Sequence, residues 1–135
     1  MKEERMKVLM VEPGKKPYAK EIGNDLEDLQ RAVGGLIEVY RPYDDCLFVV
    51  NEEGKICGLR PNRTVYDEKG QRLDILFGPF FICDSSGEDF ASLPEDLIKK
   101  YSEVFSLPEW FLREGNDIVS VKFDPDDPKV KGERP

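Results

Sequence analysis

Two short stretches carry the side chains from which a reactive or ligand-binding site could be assembled. Asn51-Glu52-Glu53-Gly54-Lys55 sets two carboxylates beside a lysine, an arrangement that perturbs pKa values and supports acid or base chemistry when it is buried in a cleft. On the surface the same residues make a charged hairpin turn, with Gly54 at a positive-φ position. Asn62 and Arg63 follow Pro61. An asparagine there closes a loop on its own backbone, and an arginine forks onto a carboxylate. That carboxylate is either one of the chain's own, such as Asp74 or Glu38, or belongs to a bound anion. A cleft that gathered Asn62, Arg63, Glu52, Glu53 and Lys55 would make the protein a small-ligand or anion binder, or an enzyme.

Other chemistries are narrowed by what the chain lacks. With no histidine in 135 residues, histidine-based triads and imidazole metal ligation are excluded, and catalysis would rest on carboxylates, lysine, tyrosine or cysteine. Cys46, Cys57 and Cys83 are odd in number, widely spaced and set beside Leu47, Ile56 and Ile82; they read as reduced core residues in a reducing compartment. No pair has the CxxC spacing of zinc or redox sites, so neither a metal nor a cofactor is expected. Glu12-Pro13-Gly14-Lys15-Lys16 has too few glycines to cradle a phosphate and reads as a solvated connection.

The net charge of −8 argues against direct nucleic-acid binding, which needs a basic face to release counterions from phosphates. It leaves room for an acidic surface aimed at a basic partner. From Asp84 to Asp96 there are five acidic residues and no basic one, which is either a solvated loop or part of a nucleic-acid-mimicking face of the anti-restriction kind. Leu107-Pro108-Glu109-Trp110-Phe111-Leu112 concentrates the one tryptophan with other apolar residues. Exposed, Trp110 and Phe111 would anchor a partner; otherwise the cluster folds back on the core.

The elements that must position these groups follow from pattern. Lys7 to Glu12 reads as a first strand ending at Pro13-Gly14. Asn24 or Asp25 caps a helix with Leu26, Leu29 and Val33 on one face, Glu27 paired with Arg31, and Gly34-Gly35 as its stop. Leu36–Arg41 and Cys46–Asn51 read as adjacent strands, with Lys55–Leu59 as a returning strand after a reversal at Glu52-Glu53-Gly54. Pro61–Tyr66 is ambiguous, Asp67–Gly70 is a turn, and Leu73–Cys83 is a central strand bulged or broken at Gly78-Pro79. Asp84–Asp89 reads as a flexible loop. A second helix starts at Leu93-Pro94-Glu95-Asp96 with Leu97, Tyr101, Val104 and Phe105 on one face, and Ile118–Phe123 is a last strand.

Val11-Glu12-Pro13-Gly14-Lys15-Lys16-Pro17-Tyr18, the run from Leu29 through Val33-Gly34-Gly35-Leu36-Ile37-Glu38, Asn51-Glu52-Glu53-Gly54-Lys55, Gly58-Leu59-Arg60-Pro61-Asn62-Arg63 and Asp74-Ile75-Leu76-Phe77-Gly78-Pro79-Phe80-Phe81 occur in an order that resembles the domain-of-unknown-function family three-eight-four-six. The resemblance covers about residues 6–83 and implies a bacterial setting on phages, plasmids or conjugative elements. It brings no activity with it.

The expected fold is α+β: a mostly antiparallel curved sheet of about five to six strands with two packed helices, in one domain over 1–123. A charged, proline-containing flexible tail follows over 124–135. A charged start from Met1 to Arg5 and the lack of a long apolar run predict a cytoplasmic protein with no export signal and no membrane span. The function expected is that of a non-enzymatic binding or regulatory accessory protein of a bacterial mobile element, acting through protein contacts, with a homo-oligomer left open. Ligand binding near Arg63 and Glu53 and acidic anti-restriction mimicry are the alternatives.

Overall fold

The computed structural model describes residues 3–129, so Met1 and Lys2 of the charged start and residues 130–135 of the tail lie outside the described residues. Strand β1 (Arg5–Val11) turns back into β2 (Tyr18–Gly23), which pairs with it in antiparallel register from Arg5↔Gly23 to Met10↔Tyr18. The pattern gave no sign of β2 because its first four residues are all exposed, so apolar and polar positions do not alternate along it. Helix α1 (Leu26–Val33) begins where the Asp25 carboxylate accepts from Asp28 N at 3.0 Å. It ends at Gly34, whose φ of 78° a side chain would resist. Arg31 pairs with both Glu27 and Asp28. Leu29 and Val33 are buried, but Leu26 is 59% exposed, because α1 meets the sheet only from its second turn.

Strands β3 (Ile37–Tyr40) and β4 (Leu47–Asn51) pair as expected. The chain then departs from expectation: Lys55–Leu59 forms turns, closed by Cys57 N on Glu53 O and Leu59 N on Gly54 O, and is not a strand. Gly54 does not have the positive φ expected of it. It is needed because a Cβ there would lie 2.5 Å from Phe77 O. β5 (Pro61–Tyr66) and β6 (Arg72–Phe77) form a hairpin of their own around the Asp67 turn, with a bulge at Asn62. Gly78, at φ 83°, ends β6 and starts β7 (Phe80–Ser86) on a new course. β7 continues to β8 (Asp89–Ala91) as a hairpin, where a loop was expected. Helix α2 (Glu95–Val104) buries Ile98 and Tyr101 and leaves Val104 45% exposed. The hairpin β9 (Glu109–Glu114) and β10 (Asp117–Lys122) follows, of which only β10 was expected.

The result is α+β, with two helices, ten strands among the described residues, and an open antiparallel main sheet in the order β2-β1-β7-β4-β3, to which β8 adds on β7. Its strands alternate between two cores. Met6, Val8 and Met10 of β1, Leu47 and Val49 of β4, and Phe81 and Cys83 of β7 meet Leu29 and Val33 of α1. Leu9, Val11, Phe48, Val50, Phe80 and Ile82 face the other way, onto Val65, Leu76, Ile98, Tyr101 and Phe105. Burial on both faces explains why β4 and β7 read as continuous apolar runs without alternation. No helix of the described residues is long and apolar enough to cross a membrane.

The candidate site: a tyrosine-lined cleft and an apolar hairpin face

The five residues that could have formed a ligand cleft fall into two separate settings. Asn62 and Arg63 are fully buried. Asn62, the bulge residue of β5, donates to Val11 O and Gly78 O at 2.9 Å each, so it ties the β5–β6 hairpin to the end of β1 and to the break before β7. Arg63 pairs with neither Asp74 nor Glu38. Its guanidinium donates to backbone carbonyls: Phe105 O from Nε and Nη2, Glu12 O from Nη1, and Lys15 O from Nη2 at 2.6 Å, with Asn62 Oδ1 at 2.9 Å from Nη1. Burial pushes this group down to about 10, against the pull of the Glu109 carboxylate, and it stays charged at neutral pH. Glu52, Glu53 and Lys55 are exposed on the turn after β4, with Lys55 Nζ 5.9 Å from the centre of the Phe77 ring.

The buried pair instead stands behind a cleft of about 790 Å³ that neither stretch lines. Its walls come from the β3–β4 connection (Tyr43, Asp44, Asp45), β5 and its turn (Thr64, Tyr66, Asp67, Glu68), α2 (Lys100, Tyr101) and the last hairpin (Glu109, Lys122). Asp45 accepts from Lys100 Nζ at 2.6 Å and from the Tyr101 hydroxyl. Burial pushes the Asp45 carboxyl up, but these two hydrogen bonds outweigh it and hold the group below the usual carboxylate range. Burial and the hydrogen bond to Asp45 both raise the Tyr101 phenol, so it remains protonated. Buried Glu109 accepts from Thr64 N at 3.0 Å and from Thr64 Oγ1 at 2.8 Å. Tyr43 stacks on Tyr101 at 5.6 Å and donates to Tyr66 O at 2.8 Å.

Sequence reading missed these groups because they come from four elements far apart in the chain. Tyr43-Asp44-Asp45 reads locally as a turn and Lys100-Tyr101 as part of a helix face. The one local clue was Glu109, a lone acid at the start of an apolar run.

Trp110 and Phe111 are brought to the surface hairpin and then separated, because neighbours on a strand point to opposite faces. Phe111 shares its face with Glu109 and sits opposite Ser120, which approaches Thr64 of β5. Trp110 lies on the outward face opposite Val121 and stacks on Phe123 at 4.6 Å. Beside it Leu112 faces Val119, and at the hairpin tip Glu114 faces Asp117. Leu112 is 57% and Val121 50% exposed, so this face is an apolar ladder open to solvent. Of the three cysteines, Cys46 and Cys83 are buried as expected, with burial pushing the Cys46 thiol up to about 12; Cys57 is exposed on the turn.

No curated protein and no solved structure matches the chain. A family model, that of the domain of unknown function DUF3846, matches residues 6–106, reaching past the 83 at which the resemblance was read to stop. From β1 through α2, with most of the cleft's walls and without the β9–β10 hairpin, the chain belongs to the DUF3846 family.

Proposed function

We propose that the protein is a non-enzymatic accessory factor of a bacterial mobile element, working in the cytoplasm by binding another protein through the outward face of β9–β10. The observation that carries this reading is the ladder of Trp110, Leu112, Val119 and Val121, in directly opposed pairs, with Leu112 and Val121 about half exposed. A cross-strand apolar face bounded by charge is the composition of a binding surface, and aromatic anchors dominate interface energies. The chemistry of the partner follows from the ladder's tip. Asp117 is neutralised by Arg72 at 2.9 Å, whereas no cation among the described residues pairs with Glu114, so the complementary surface presents apolar side chains beside a lysine or arginine. The chain's net charge of −8 favours the same basic partner. Asn62 and Arg63, by contrast, commit their polar atoms to holding the fold.

The test starts from the tagged full chain in a host carrying the element, with the partner identified by mass spectrometry, purified and titrated. Leu112→Lys and Val121→Lys should each weaken binding by about tenfold or more. Leu36→Lys, at an equally exposed leucine elsewhere on the molecule, should leave binding unchanged. Wild-type affinity in both hairpin variants, or turnover of a metabolite that a folded Glu53→Gln variant loses, overturns the reading.

A further inference from the structure

We infer that the tyrosine-lined cleft is a receptor for a cationic side chain, lysine or arginine, carried on a segment of a protein partner. The inference extends the protein-contact reading, but it concerns the opposite face of the last hairpin, since Glu109 and Lys122 look into the cleft and the ladder looks away from it. At about 790 Å³ the cleft has room for one long side chain and the residues flanking it.

The cleft already holds a cation of its own. Lys100 Nζ sits 2.6 Å from Asp45 and 5.1 Å from the centre of the Tyr101 ring, between a carboxylate and an aromatic face. Further tyrosine faces and carboxylates stand in the lining: the half-exposed Tyr43 and the exposed Tyr66, Asp44 and Glu68, with the charge of Lys100 reaching Glu68 and Arg72 lying opposite Tyr66 on β6. The other charged groups facing this space are accounted for. Asp67 Oδ1 caps the backbone at Lys69 and Gln71, Glu109 is bound to Thr64, and Lys69 and Lys122 are the remaining cations. With Lys100 neutralised by Asp45 and Glu109 facing the buried Arg63 charge, three carboxylates (Asp44, Asp67, Glu68) face two lysines, so the lining keeps a net negative charge that favours cations over anions. Tyrosine faces add attraction for an ammonium or guanidinium that an apolar side chain of the same length cannot gain.

The test is a titration of the full-length ¹⁵N-labelled protein, followed by amide chemical shifts, with Nα-acetyl-arginine amide and Nα-acetyl-lysine amide. Their uncharged counterpart is Nα-acetyl-norleucine amide, and n-butylamine represents a free amine. Both cationic amides should shift signals of residues 66–71 and 100–105. Their affinity should fall severalfold between about 20 and about 300 mM salt as the Debye length shortens. Tyr66→Ala and Glu68→Gln should each weaken binding by about threefold, with the folded spectrum otherwise kept. No shift in the cleft, or equal binding of the norleucine amide, overturns the inference. Equal binding of n-butylamine overturns the peptide source. Failure here stays distinct from failure of the hairpin reading, because Val121→Lys should leave the titration unchanged even where it removes the partner.

Discussion

Along β4, Leu47, Phe48, Val49 and Val50 are buried on both faces of the main sheet, while along β9 burial falls from Glu109 at one end to Leu112, Arg113 and Glu114, all exposed, at the other. In the sheet each large side chain removed from water contributes roughly 1.5–3 kcal/mol without requiring a particular partner. The hairpin is attached differently, by a few directional contacts: Glu109 to Thr64, Arg72 to Ile118 O and Asp117, and Lys16 to Asp124 and Asp126. Non-directional burial makes the sheet cooperative, and sparse polar links let the hairpin open on its own. A binding surface fits the second kind of region, where adjustment to a partner does not cost the core.

Arg63 is where the contrast is sharpest, because a charged side chain fills a core position and its donors join three elements. Arg63→Met removes the donors to Phe105 O, Glu12 O and Lys15 O and the buried positive charge that faces Glu109. Urea unfolding should show a loss of about 3–5 kcal/mol. Phe48→Ala, at the aromatic centre of the same core, should lose a similar amount by leaving a cavity. A loss below about 1 kcal/mol for Arg63→Met would erase the distinction between polar and apolar holding at this position.

Glu109→Gln addresses the hairpin itself. A glutamine presents one oxygen and one NH₂ where the carboxylate takes hydrogen bonds from both Thr64 N and Thr64 Oγ1, so one of these donors loses its acceptor. The expected loss is about 1–3 kcal/mol, confined to one region. Hydrogen exchange should speed up in β9 and β10 while β1, β4 and β7 keep their protection. A uniform rise across the molecule would mean that the hairpin and the sheet unfold together.

Legibility in the sequence followed the same division. β1, β4, α1 and the break at Gly78 were readable because local pattern decides them: apolar runs, an Asp25 cap and a glycine stop. β2 and β9 were not, since an exposed edge and a half-buried hairpin are selected by their partners, not by their own alternation. The same holds for the cleft. Asp45, Lys100, Tyr101 and Glu109 are brought together only by tertiary packing, and Arg63, whose side-chain type suggests a ligand group, is used for structure because six of the hydrogen bonds it donates are met inside the fold.

The smallest effect expected is electrostatic and belongs to the cleft. Asp45 titrates below its ordinary 3.8 in the folded protein, so its ionised form favours folding. A depressed folded value means the contribution is fully present above the unfolded value and is lost as pH falls through the folded one. Its side chain is 34% exposed and that of Lys100 54%, so solvent screening keeps the contribution below about 1 kcal/mol. Stability curves of wild type and Asp45→Asn should therefore run parallel from neutral pH down to about pH 5 and converge below about pH 4. The gap between wild type and Phe48→Ala, which rests on packing alone, should stay constant over the same range. If the Asp45→Asn gap also stayed constant, the Asp45, Lys100 and Tyr101 cluster would be holding the cleft by shape, as the sheet is held, and not by charge.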